Sequence, residues 1–271
     1  INTLDSTVVS LEEIENSAKN GKNRDAALET LTKALNAADS SKNWAYVPSP
    51  STGLPSLSNQ DVIRTAFIYQ ADQVKPVGES KILNDQTNFS NAREPLAQEF
   101  VAIDASGAEY GDSFVAIVNH FKSKGSGTPA PDPWQGNANA DRVNQANALG
   151  EWANEQYPDT AIFVIGDLNA YSAEDPILKL GEHGYTRVMD YMAEQTGDES
   201  YLDLTTYQYS SLHGSLDQAL GNDLALDMVN DAEVYAINAP EAIALEYSRY
   251  NNYLTIYHDA TQYRSSDHDP V

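Results

Sequence analysis

The chain has 271 residues, 41% of them hydrophobic and none of them cysteine, which allows one large core and excludes disulfide frameworks, thiolate metal sites and thiol nucleophiles. Forty acidic residues against 16 lysines and arginines give a formal net charge of -24, a surface that repels nucleic acid and anionic membranes at long range. In salty surroundings screening shortens such fields to a few ångströms, so an acidic coat then serves solubility and binding falls to local basic residues.

In chain order, STVVSLEEIEN (6–16) starts apolar at Val8, Val9 and Leu11 and turns acidic at Glu12, Glu13 and Glu15. That pattern predicts a buried strand delivering carboxylates at its C-terminal end. RDAALETLTKALNAAD (24–39) spaces Ala27, Leu28, Leu31, Ala34 and Leu35 as one face of an amphipathic helix. SPSTGLPSLSNQ (49–60) has loop composition, and DVIRTAFIYQ (61–70) and PLAQEFVAID (95–104) read as strands. SFVAIVNHF (113–121), AIFVIGDLN (161–169) and, more weakly patterned, HGSLDQALG (213–221) have the apolar runs of central strands. Between the first two, residues 139–156 predict a helix with Val143, Ala146, Leu149, Trp152 and Ala153 on one face. Strands that both alternate with helices and follow one another predict a mixed sheet with helices outside, in a single α/β domain spanning 1–271. No apolar run approaches the roughly 20 residues of a membrane span.

Chemically capable residues gather at the ends of these runs: Glu13, Asn119 with His120, Asp167 with Asn169, Asp217, and finally Asp267, His268 and Asp269. Strand ends on one side of a sheet are where α/β proteins build sites. Each group alone has an ordinary reading, an Asp after a strand as a turn former and a lone His as a satisfied polar residue. Their recurrence shifts the balance. Carboxylates and carboxamides suit a hard cation such as Mg²⁺, and no HExxH or Cys/His spacing supports zinc. Histidines beside acids supply acid-base groups, the remaining parts for attack of water on a phosphoryl centre. GSGTP (125–129) lacks the following lysine and helix of a phosphate-binding loop, and no GxSxG elbow occurs.

The ordered blocks EEIEN, VNHFKSKG, FVIGDLNAY, GSLDQAL and YRSSDHDPV together resemble the endonuclease/exonuclease/phosphatase superfamily, and within it the secreted bacterial extracellular nucleases. The resemblance implies a DNase I-like four-layer sandwich of two mixed β-sheets flanked by helices, and metal-dependent phosphodiester hydrolysis at one edge. It places Glu13 on the principal metal-binding glutamate and Asp267 on the carboxylate beside the metal. His268 falls on the histidine that activates water or stabilises developing charge, and Asp217 on the acid that orients it. Asp167 and Asn169 fall on the pair that handles nucleophile or leaving group, His120 on the second histidine, and Arg93 on a phosphate-meeting position. Lys122, Lys124, Arg64 and Arg264 lie near these blocks as candidates for a local positive patch, against a solvated-loop reading for the two lysines.

The implied cofactor is Mg²⁺, with Mn²⁺ or Ca²⁺ as alternatives, and the implied partner is nucleic acid, DNA first and RNA second, with no membrane span and no obligate protein partner. The implied location is extracellular. An Asn-bearing opening strand and a closing strand of the family have no counterpart here, so the expectation is a domain truncated at both ends. Two other readings stay open: a phosphatase or phosphodiesterase acting on a nucleotide, inositol phosphate or phospholipid, and a non-catalytic binding domain that keeps the fold.

Overall fold

The computed structural model describes residues 1–248 and 261–271. The first half contains β1 (Val8–Glu15), α1 (Ala26–Ala38), β2 (Trp44–Tyr46), β3 (Ile63–Gln70), β4 (Val74–Ile82), β5 (Arg93–Ile103) and β6 (Glu109–His120). The second contains α2 (Asn139–Gln156), β7 (Ala161–Asp167), α3 (Asp175–Glu182), β8 (Thr186–Arg187), α4 (Val188–Thr196), β9 (Tyr207–Tyr209), β10 (Leu212–Gly214), β11 (Asp217–Gly221) and α5 (Asp223–Leu226). Among the described residues no helix is long and apolar enough to cross a membrane.

The strands form a three-stranded sheet in the order β1-β3-β2, a six-stranded sheet in the order β4-β5-β6-β7-β11-β8, and a β9–β10 ribbon. In the six-stranded sheet β6 and β7 run parallel and all other neighbours antiparallel, so it is mixed, as the alternating pattern predicts. The two sheets face each other, and the period of two along each strand supplies both faces. On β3, Phe67 and Tyr69 enter the layer between the sheets while Ala66 and Ile68 pack under α1. On β6, Ala116 and Val118 join that middle layer, whereas Val115 and Ile117 pack against Ala146 and Leu149 of α2 and Leu180 of α3. The order α1, sheet, sheet, α2 with α3 is therefore four layers. Strands covered on both faces must be apolar at successive positions, which is why these segments read as continuous runs; each fully buried large apolar side chain contributes about 1.5–3 kcal/mol.

Two sequence expectations change. HGSLDQALG is not one strand: Leu212–Gly214 belongs to the ribbon, and the sheet strand begins at Asp217. Asp217 thus opens a strand rather than ending one. β4 was not legible because it is an edge strand, interrupted between Val77 and Lys81 and carrying Pro76, two devices that blunt an exposed edge.

Candidate active site

The site is one row across four strands. Arg93 opens β5, His120 closes β6, Asp167 closes β7 and Asp217 opens β11. They are direct register partners, Arg93 with His120, His120 with Asp167, and Asp167 with Asp217. β5 and β11 run antiparallel to their neighbours, so their first residues lie where β6 and β7 finish.

His268 reaches this row from the chain's last segment. Its Nδ1 lies 2.8 Å from Asp217 Oδ2, and the Thr206 hydroxyl donates to the same oxygen at 2.6 Å. Burial alone would lower the imidazole, but the hydrogen bond and charge of Asp217, with the charges of Asp167 and Asp267, outweigh it and raise His268 to about 9. At neutral pH His268 is an imidazolium, so its contact with Asp217 is a charged hydrogen bond. The segment is fastened beside it by Asp269, whose Oδ1 accepts from the backbone N–H groups of Ile237, Asn238 and Ala239 and whose own N–H donates to Thr206 O at 2.8 Å.

His120 is the opposite case. Burial first, then the positive Arg93 and His268, lower it to about 3, so it is neutral. Arg93 Nη1 lies 3.2 Å from His120 Nε2. Since arginine only donates, Nε2 accepts and the ring proton belongs on Nδ1, which is buried without a partner. Asp167 Oδ2 at 3.5 Å and Glu13 Oε1 at 3.9 Å face the same nitrogen; with the ring neutral these are polar contacts rather than ion pairs. Asp167 is raised to about 7 by burial and by the charge of Asp217, against the hydrogen bond that its Oδ1 accepts from Asn169 N at 2.8 Å. Asn169, at φ 48°, also donates through its side chain to Asp167 Oδ2 and Phe121 O, which locks the turn after β7.

The two adjacent glutamates of β1 part company. The pairing of β1 with β3 shifts between Leu11 and Ile14, and Glu13 sits there at φ 59° with its side chain 64% exposed. Bulges of this kind re-aim side chains near sites. Glu12 turns inward: its Oε1 is buried without a hydrogen-bond partner, against Gly166, where a Cβ would come within 2.6 Å of that oxygen and 2.4 Å of Asn119 O. Burial, then the charges of Asp217 and Asp167, raise Glu12 to about 8. The resemblance singles out Glu13 and passes over Glu12, since adjacency in sequence does not reveal a bulge. Thr206 was also missed, because it lies in the polar stretch TTYQYS and gains its role only through contact with Asp217.

Most of the expected positive patch is committed internally. Lys124 pairs with Glu174, Arg64 with Asp25 at 2.7 Å, and Arg264 donates to Asn238 O and Ala239 O. Arg93 forms an ion pair with Asp61 at 3.1 Å. The loop after His120 is held by two polar residues on the buried face of α2: Gln145 accepts from Lys122 N, and Arg142 donates to Lys122 O, Asn137 O and Gln135 O. The helix spans the expected residues, but it is Arg142 and Gln145, not Val143, that complete its buried face.

Glu12, Glu13, Asp167, Asn169 and Asp267 are an all-oxygen donor set suited to a hard cation, and the unpartnered Glu12 Oε1 is the atom such an ion would satisfy. Among the described residues no group of three or more acidic or histidine side chains is already arranged to hold a metal ion.

Two facing sheets, the six-stranded one mixed and the three-stranded one antiparallel rather than mixed as expected, with helices outside both and a polar row at one strand-end edge, define a DNase I-like fold, the fold of the endonuclease/exonuclease/phosphatase superfamily. Neither a protein-family model nor a curated protein sequence matches the chain. Its solved structural neighbours include D. rerio TDP2 complexed with a single-strand DNA product, at TM-score 0.52 and 13% identity over 86% of this chain and 76% of that one. Truncated Caenorhabditis elegans TDP2 aligns at TM-score 0.50 and 11% identity, covering 99% of this chain and 83% of that one. An endonuclease/exonuclease/phosphatase family protein from Bacteroides thetaiotaomicron aligns at TM-score 0.50 and 11% identity, over 82% and 71%. At such identities the likeness is one of fold.

Proposed function

We propose that this chain hydrolyses phosphoester bonds, with nucleic acid, DNA first, as the substrate, as a secreted nuclease of low sequence preference assisted by Mg²⁺. The observation that carries the reading is the row Arg93, His120, Asp167, Asp217 with His268 seated on its end. A phosphodiester under attack by water gathers negative charge, and catalysis requires groups that stabilise that charge more than the ground state. His268, held protonated by Asp217, donates toward the phosphoryl oxygens. Asp167, near neutrality in its proton affinity, takes the proton of the attacking water, and Asn169 holds its carboxylate in orientation. The imidazolium of His268 is also the proton source for the leaving oxygen, while neutral His120 accepts from Arg93 at Nε2 and holds it where it steadies the phosphate. Glu13, Glu12 and Asp267 would hold the cation, which when bound supplies charge neutralisation at the phosphate.

One observation favours a second reading, a phosphatase or phosphodiesterase on a small phosphoester: in a chain of charge -24, Lys124, Arg64 and Arg93 near the site are each paired with a carboxylate, which weakens what these three offer a long polyanion. Plasmid nicking and phosphate release from nucleotides, each with Mg²⁺, separate the two. The nuclease reading expects nicking by the wild-type chain and a loss of about 10²–10⁴-fold in His268→Ala. Intact plasmid with liberated phosphate would establish the second reading, and equal rates for wild type and His268→Ala would remove the row from the chemistry.

A further inference from the structure

We propose that Tyr207 is a positioning residue for His268, fixing the plane of the imidazole from the side that Asp217 does not reach. This rests on the reading of His268 as the charge-stabilising group of the site.

Asp217 contacts a single nitrogen of the ring. A single hydrogen bond fixes the position of Nδ1 but leaves the ring free to rotate about that contact. Tyr207 supplies the missing constraint: its ring lies 4.6 Å from the His268 ring between centroids, with 35° between the planes. The contact is not incidental to a floppy side chain, because Tyr207 and His268 also form a β-bridge through their backbones. The preceding residue, Thr206, hydrogen-bonds the same Asp217 oxygen through its side chain and Asp269 through its carbonyl. One dipeptide therefore addresses the carboxylate, the ring and the backbone of the His268 segment together.

The ribbon that carries Tyr207 has three-residue strands, and two-stranded hairpins of that size are marginal alone. Its base is what holds it. Thr206 N donates to Gly214 O at 3.1 Å, and the Tyr171 ring packs so closely on Gly214 that a Cβ there would come within 2.5 Å of it. Tyr171 in turn lies under Lys124 Nζ, 5.1 Å from the ring centroid, and Lys124 is anchored by Glu174. The ring that backs His268 is thus braced through Gly214 and Tyr171 to the loop that follows His120, while Tyr209 and Leu212, 66% and 75% exposed, occupy the far end of the ribbon. It is the ring of Tyr207 that makes the contact with His268.

The test uses the whole chain with histidine labelled at the ring carbon Cε1, together with steady-state hydrolysis of the best phosphoester substrate. Tyr207→Phe keeps the ring and Tyr207→Leu removes it. The expected result is that Tyr207→Leu lowers kcat about 10- to 100-fold with little change in KM, the cost of a misplaced catalytic group, while Tyr207→Phe stays near wild type. In the labelled protein the order parameter of the His268 ring Cε1–H, its signal assigned by its loss in His268→Ala, falls in Tyr207→Leu and is kept in Tyr207→Phe, at unchanged circular dichroism. A rise in KM with constant kcat in Tyr207→Leu would overturn the proposal in favour of direct substrate contact, and so would equal defects in both variants, which would implicate the hydroxyl. Should wild type hydrolyse no phosphoester, the functional reading fails, and the spectroscopic arm still decides the positioning: a His268 ring as rigid in Tyr207→Leu as in wild type overturns it.

Discussion

The two histidines of the site occupy the same row of strand ends and are driven in opposite directions. His120 is buried beside Arg93 and falls to about 3; His268 is also partly buried but holds Asp217 at 2.8 Å and rises to about 9. Burial acts against the charged form in both. What differs is the sign of the nearest full charge, a guanidinium for one and a carboxylate for the other. Asp167 stands between them, 3.5 Å from His120 Nε2, yet does not rescue the charge of His120, because burial and Asp217 raise its own proton affinity. The lesson is that a single edge can hold one imidazole as an acceptor and one as a donor around neutrality, with the division made by which strand end each faces.

The most severe way to break this contrast is Asp217→Asn, which leaves the shape and removes the charge that holds His268 protonated. Hydrolysis at pH 7 should fall by about 10²–10⁴-fold, the range for losing a positioned acid-base group, and the His268 ring should titrate well below 9 in the metal-free variant. An unchanged His268 titration measured by NMR would show that Asp217 is not the source of the shift.

A milder test reads stability against pH in the metal-free protein. His120, lowered in the fold, contributes stability that is complete above its unfolded value of 6.5 and is lost as pH falls toward 3. His268, raised in the fold, contributes stability that is complete below 6.5 and is lost as pH rises toward 9. Thermal unfolding should therefore show His120→Asn flattening the acid limb and His268→Asn the alkaline limb. Glu12 adds to the second loss, since a carboxyl raised from 4.5 to about 8 disfavours the fold progressively across that interval. In Glu12→Gln the decline between pH 4.5 and 8 should be shallower, in EDTA, than in wild type; an identical slope would mean that Glu12 ionises freely in the fold.

The smallest effect sharpens the comparison rather than breaking it. Arg93→Ala removes the positive neighbour of His120 but not its burial, which is the larger cause. His120 should rise modestly and remain below 6.5 by NMR titration. A rise above 6.5 would give Arg93, not burial, the main part.

Several levels of this organisation were legible beforehand. Periodicity located β3, β5, β6, β7, α1 and α2, because strands covered on both faces and helices covered on one leave plain patterns. Edge strand β4 and ribbon strands β9 and β10 were not legible, since half-exposed segments with Pro, Gly and Ser carry no strong period. The residue types of the site were legible too, and Arg93, His120, Asp167, Asp217 and His268 do come together.

What the amino-acid order determined by itself was therefore the inventory: apolar runs for two covered sheets, and polar groups at the ends of those runs. It could not say that Glu12 turns inward and Glu13 outward, because a shifted register between β1 and β3 decides that. Nor could it say that Thr206 and Tyr207 back Asp217 and His268, since the dipeptide meets His268 only across a bridge between segments 61 residues apart. Protonation belongs to the same category. Two histidines carry the same intrinsic proton affinity in the chain, and only the charges that folding sets beside them make one neutral and the other positive.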